Sequence, residues 1–349
     1  MSENHLRLEG CCIVNIHKHF NPMGADYLPP GSGPPPERRQ TIMKKPITEV
    51  FGIQAPASIT VDVRDNAKHA MIPRSNPDYV FRREILSDIL AWMKGAAGAD
   101  PLYVVGPTGS GKSSIVTQIA SRLNVPLYVV SCHERMEMPE LFGRFVVRSG
   151  TMEWVDGPFI QGLKDPASAW ILLDEADTLD PGTFVGLNAV NEGRTIMIPE
   201  TGETIDPLRF GARIIFAGNT AGNGDATGLY QATKRQNLAS MGRFMMLEVG
   251  YADPAEENQA LEKAVPEVPS PIRQKMVEVA NKVRDLFVSG EIEVTFCTRT
   301  LIRWAQLATF YKAKPGINPI VYALDRALGF RAEVQSRQAL HELVQRIIA

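Results

Sequence analysis

From Tyr79 to Met93 the apolar residues Val80, Phe81, Ile85, Ile89, Leu90 and Met93 recur at helical spacing, and Gly95 and Gly98 then break the pattern. Beyond that break come short, β-rich apolar runs at Leu102 to Val105, Leu127 to Val130, Ala169 to Leu173, Ile214 to Ala217 and Met245 to Val249, separated by longer helical or irregular segments. Continuous apolar strands alternating with helices predict an α/β fold: a five-stranded parallel sheet covered on both faces, with its ligand at the carboxyl ends of the strands. Past Asp253 the strand signal fades. Ser270-Pro271 reads as a cap followed by proline at the first helical position of a helix reaching Val288, and helical patterns follow at Arg299 to Lys312, Pro319 to Phe330 and Ala332 to Ile348. The expected organisation is an α/β domain over residues 46–254 and a smaller C-terminal helical lid over 255–349.

Residues 1–45 are expected to be a flexible leader, because the stretch Leu28 to Arg39 is so rich in Pro and Gly that its backbone can form neither helix nor ladder. Cys11, Cys12, His17 and His19 in that leader match no zinc-ligand spacing. With Cys132 and Cys297 they are too thinly spread for a disulfide framework, which predicts a reducing, cytoplasmic setting. A formal charge of −2 removes any blanket electrostatic case for nucleic acid or an anionic membrane, and no apolar run approaches the ~20 residues that span a bilayer.

Chemistry enters directly after the first predicted strand of the sheet. Gly106, Pro107, Thr108, Gly109, Ser110, Gly111, Lys112, Ser113 and Ser114 satisfy the phosphate-loop pattern G-x4-G-K-[ST] between strand and helix. The glycines let the main chain approach a triphosphate, and the amides of 109–113 face it at a helix N-terminus. Lys112 would neutralise β- and γ-phosphate charge, and Ser113 would offer a hydroxyl to Mg2+, an ion that prefers oxygen ligands. The run Trp170 to Asp177 is an apolar strand ending in carboxylates: Asp174 is the second metal-holding candidate and Glu175 the candidate for polarising the attacking water. Asn219, at the end of the next predicted strand, can hydrogen-bond both that water and the γ-phosphate. Arg243 stands just before the fifth strand, where a ring-forming ATPase would offer it to a neighbouring subunit, and Arg299 starts a lid helix from which it could reach the γ-phosphate in its own subunit.

This order of motifs resembles the AAA+ ATPases, and two extra segments narrow the resemblance to the MoxR branch. Residues 140–159 resemble that branch's hairpin inserted in the second helix, with strands flanking Ser149-Gly150, and residues 194–208, with a turn at Thr201-Gly202, resemble its hairpin before sensor 1. Both would line a ring's central face. Over roughly 48–349 the chain looks like the CobS-type ATPase subunits of aerobic cobaltochelatase, on Val50 to Ile53, Asn76 to Phe81, Gly218 to Thr220, Gly224 to Tyr230, Met241 to Arg243, Thr298 to Thr300 and Ile302 to Ala305. Gly242 and Thr298 depart from the Asp and Pro expected there.

The resemblance implies ATP and Mg2+ as ligands and a homo-hexameric ring. It also implies a von Willebrand A domain partner of the CobT-like kind, and cobalt insertion into a corrin on a large chelatase subunit. A MoxR-type remodelling ATPase with the same sort of partner fits the residues equally well. A nucleic-acid translocase gripping phosphates through Arg144, Arg148 and Arg194 has only that local charge to support it. A scaffold that binds ATP without turnover is opposed by Glu175.

Overall fold

The computed structural model describes residues 41–348 apart from 66, 226, 227, 229 and 231, so the expectations for residues 1–40, including the two cysteines and two histidines there, lie outside the described residues. β1 (Ile42–Pro46) pairs antiparallel with β2 (Thr60–Arg64), with the short α1 (Ile47–Phe51) between them. Residues 42–45 are thus a paired strand where the sequence reading extends the leader. The missed signal is the alternation Thr60-Val61-Asp62-Val63-Arg64, which buries Val61 and Val63 against α2 (Arg83–Met93) and its surroundings.

The large sheet is built from β3 (Leu102–Val105) and β4 (Leu127–Ser131), on either side of α3 (Lys112–Arg122) in the chain. Next come α4 (Met138–Phe142), the hairpin strands β5 (Gly143–Arg148) and β6 (Thr151–Asp156), α5 (Pro158–Lys164) and β7 (Trp170–Asp174). Then follow α6 (Pro181–Gly186), α7 (Asn188–Asn191), the hairpin strands β8 (Ile196–Met197) and β9 (Thr204–Ile205), β10 (Arg213–Gly218), α8 (Leu238–Met241) and β11 (Met245–Glu248). Five strands lie in the order β11-β3-β10-β7-β4, all parallel. β10 pairs Gly218 with Val105 of β3 and Ala217 with Asp174 of β7, so the carboxyl ends of these three strands lie level.

Both faces of the sheet are dry, as continuous apolar strands require. Leu102, Val104, Trp170, Leu172 and Ile215 pack toward α2 and α3, while Tyr103, Ile171, Leu173, Ile214 and Phe216 pack on the other side with Phe159, Phe184 and Phe244. Ser149 (φ 53°) and Gly150 (φ 83°) form the two-residue turn of the β5–β6 hairpin, where positive φ at both positions matches the twist of the strands. Val147 and Met152 of that hairpin are 72% and 65% exposed, so nothing among the described residues covers this end of its apolar face.

The C-terminal helical domain has its own core. α9 (Pro254–Ala264), α10 (Ser270–Val288), α11 (Thr298–Phe310), α12 (Pro319–Ala327) and α13 (Val334–Ile348) enclose Met276, Val283, Leu301, Trp304, Leu324 and Leu340. α9 went unread in the sequence although Asp253-Pro-Ala-Glu256 forms a capping box, each acid accepting from the other's backbone amide. Ser270 is not the cap expected of it; it is the first helical residue, and Pro269 precedes it without any side-chain cap. The helix expected to run to Phe330 stops at Ala327, and Gly329–Arg331 turns as a 3-10 segment. No described helix is long and apolar enough to cross a membrane.

Candidate active site

The loop from Gly106 to Gly111 links β3 to α3 and is shaped by close contacts. A methyl group on Gly106 would lie 2.1 Å from the Val249 carbonyl oxygen, and one on Gly109 (φ 73°) would lie 2.2 Å from Cys297 Cβ, so both positions require glycine and the second presses the loop against the start of α11. Tyrosines hold the loop from either side: the Tyr230 hydroxyl accepts from the Thr108 amide and the Tyr251 hydroxyl donates to the Thr108 carbonyl.

Lys112 is buried. Its Nζ donates to the Gly106 and Pro107 carbonyls at 2.9 and 3.1 Å and to Asn219 Oδ1 at 2.9 Å. Burial pulls the ammonium below its usual range, opposed by Asp174, Asp177 and Glu175. Ser113 Oγ donates to Asp174 Oδ1 at 2.7 Å, placing two oxygen donors side by side at the tip of β7. This hard, all-oxygen pair fits a magnesium ion, which would supply charge neutralisation to bound phosphates. The buried Ser110 Oγ has no hydrogen-bond partner among the described residues and sits in the same loop, which fits a polar ligand there.

Glu175 follows Asp174 in the left-handed region (φ 58°, ψ 36°), a conformation that costs a non-glycine residue ~1–3 kcal/mol. Its own carbonyl accepts from the Thr178 amide and hydroxyl, which holds the turn. Asn219 ends β10, and its position depends on a residue to which the sequence reading assigns no role. Asp177 is fully buried, and its Oδ2 accepts from the amides of Asn219 and Thr220 and from the Thr220 hydroxyl. The available signal is local: Asp177 closes the acidic run Asp174-Glu175-Ala176-Asp177 that ends the apolar strand β7. Cys132, whose amide donates to the Asp174 carbonyl, has its thiol pushed up to about 12 by burial and then by the three acids, so it stays neutral.

Lys112, Ser113, Asp174, Glu175, Asn219 and Arg299 line one cleft of about 1080 Å³ between the sheet and the helical domain. Arg303, one turn beyond Arg299 on the same helix, also lines it and was missed in the sequence; among the described residues neither arginine has a carboxylate within ion-pair distance. Arg243 lies elsewhere. It follows α8, does not line the cleft, and donates from Nε to Glu192 Oε1 at 2.5 Å and from Nη1 to the Ala239 carbonyl. The unexpected Thr298 has a physical use that proline could not serve: its hydroxyl donates to Glu257 Oε1. Glu257, fully buried, in turn takes a two-pronged pair from Arg284 at 2.6 and 2.7 Å.

A parallel five-stranded sheet with a glycine-rich strand-to-helix loop, acids on the neighbouring strand tip and a helical domain over the cleft defines the AAA+ class of P-loop ATPases. Residues 101–236 match the AAA domain of the dynein-related subfamily, and residues 257–347 match the CbbQ/NirQ/NorQ C-terminal domain. The chain belongs to the MoxR family of AAA+ ATPases. It is 29% identical to the aerobic cobaltochelatase subunit CobS of Sinorhizobium sp over 281 residues, 76% of this chain and 80% of the relative. It is 28% identical to protein NorQ of Paracoccus denitrificans, covering 69% and 82% of the two chains. It is 26% identical to the denitrification regulatory protein NirQ of Stutzerimonas stutzeri, covering 67% and 78%.

Proposed function

We propose that this chain hydrolyses Mg-ATP in the cleft and works as the motor subunit of a homo-hexameric ring, cytoplasmic and acting through a von Willebrand A domain partner. In this reading the loop 106–114 cradles the triphosphate, Lys112 neutralises it, and Ser113 and Asp174 hold magnesium. Glu175 polarises the attacking water, Asn219 positions it, Arg299 senses the γ-phosphate from the lid, and Arg243 reaches into a neighbour's cleft. The observation that carries the reading is the meeting of Lys112 Nζ with Asn219 Oδ1 beside the Ser113–Asp174 pair, which joins three strand tips at one point. Phosphoryl transfer needs such positioning more than covalent chemistry. Glu175→Gln tests it: nucleotide binding by calorimetry should persist while turnover falls by ~10²–10⁴, and an unchanged rate would remove Glu175 from its role. Failure to bind adenine nucleotide with magnesium present would end the whole reading.

For the work done, similarity to CobS supports metal insertion into a corrin by partner chains, with this subunit supplying closure and opening of the lid. A second reading, remodelling or activation of a partner protein without chelation, is favoured by the match of 257–347 to the CbbQ/NirQ/NorQ C-terminal domain. Mixing the chain with its von Willebrand A partner and a large corrin-binding subunit, and following ATP use and cobalt uptake together, separates the two. ATP use stimulated by the partner without cobalt uptake would favour remodelling.

A further inference from the structure

Glu192 ends α7 and meets two arginines at once: its Oε1 accepts from Arg243 Nε and its Oε2 accepts from Arg194 Nη2, both at 2.5 Å. The two arginines belong to different devices. Arg243 is the residue placed above to act in a neighbouring subunit, and Arg194 is the first residue of the second hairpin. The base of that hairpin is pinned where it leaves the helix, since the Arg194 amide donates to the Ala189 carbonyl and Gly193 (φ 70°) packs against Leu208 at the hairpin's far end.

We infer that Glu192 is a positioning residue for hydrolysis, aiming the Arg243 guanidinium for a neighbouring copy and tying its aim to the second hairpin. The inference rests on the trans-acting role proposed for Arg243. Its physical content is simple. Glu192 holds Nε and the Ala239 carbonyl holds Nη1, so the guanidinium plane is fixed from two sides while its remaining N–H groups are free of those two acceptors. One carboxylate shared between two guanidiniums cannot neutralise both, so a displacement of the hairpin that draws Arg194 away strengthens the hold on Arg243, and the reverse displacement relaxes it. Whatever engages the hairpin would thereby alter hydrolysis next door.

A double-mutant cycle on the assembled full-length chain tests this. Glu192→Ala should lower kcat by roughly ten- to a hundredfold, as expected when a reacting group is misplaced by about 1 Å, with KM moved less than about twofold because Glu192 lies outside the cleft. Glu192→Asp should recover much of the loss, and Glu192→Ala added to Arg243→Ala should lower kcat no further. An unchanged kcat in Glu192→Ala, or the same loss in the presence and absence of Arg243, would overturn the inference. If Arg243→Ala itself keeps the full rate, the trans-acting role fails first and this inference with it.

Discussion

The floor of the cleft and the Arg243 rim outside it carry the same kinds of group, cations and carboxylates, yet they are built to opposite ends. On the floor, Lys112, Asn219, Ser113 and Asp174 bond to one another across α3, β10 and β7, so a single protomer assembles them. At the rim, Arg243 is 29% exposed, bound to Glu192 and outside the cleft. The floor is complete by folding, whereas the role proposed for Arg243 would need a neighbouring copy. Arg243→Ala is the strongest way to break this contrast: the assembled protein should lose ~10³–10⁵ in kcat while nucleotide affinity in the cleft holds. Full activity would mean that the floor suffices and that the rim is an ordinary surface ion pair, worth ~1 kcal/mol or less.

A second test concerns how firmly the lid half of the cleft is set. Glu257 is fully buried and Arg284 nearly so, and their pair is completed by Asn281, the Phe296 carbonyl and the Tyr251 ring. Glu257→Ala leaves a buried guanidinium without its carboxylate and should cost ~3–5 kcal/mol by denaturant unfolding. Thr298→Val, which removes only the hydroxyl that donates to Glu257, should cost about 1 kcal/mol. If both variants unfold like the parent, the lid does not depend on this pair, and the lid's rigidity must come from the Trp304 core alone.

What could be read in advance follows the same division. The five strands, both hairpin turns and the glycine-rich loop between β3 and α3 were legible because each is written in consecutive residues: apolar runs, Ser149-Gly150, and the spacing of Gly106, Gly111 and Lys112. β1 and β2 escaped because Ile42–Pro46 becomes a strand only through a partner fourteen or more residues away. Asp177, Glu192 and the Cys297 contact with Gly109 escaped for a related reason, since each gains its meaning from a residue brought near by folding. Residues 1–40 lie outside the described residues, and the expectation of a flexible leader there rests on composition alone.

The smallest effect expected separates the two cations by protonation. Burial lowers the pKa of Lys112 in the free site, with Asp174, Asp177 and Glu175 pulling the other way. Bound phosphate oxygens favour the charged ammonium, so binding raises that pKa again, and ATP must then take up a proton wherever the pH lies between the two values. The sign follows: affinity is full below the free-site pKa and declines as pH rises through it, at a pH lower than an ordinary lysine would show. Calorimetry in alkaline buffers of different ionisation enthalpy should reveal net proton uptake, and Lys112→Arg should abolish that uptake, because a guanidinium stays charged throughout. Arg243→Ala should leave it untouched. Proton uptake that survives Lys112→Arg would assign the titration to another group and weaken the claim that Lys112 meets the phosphates.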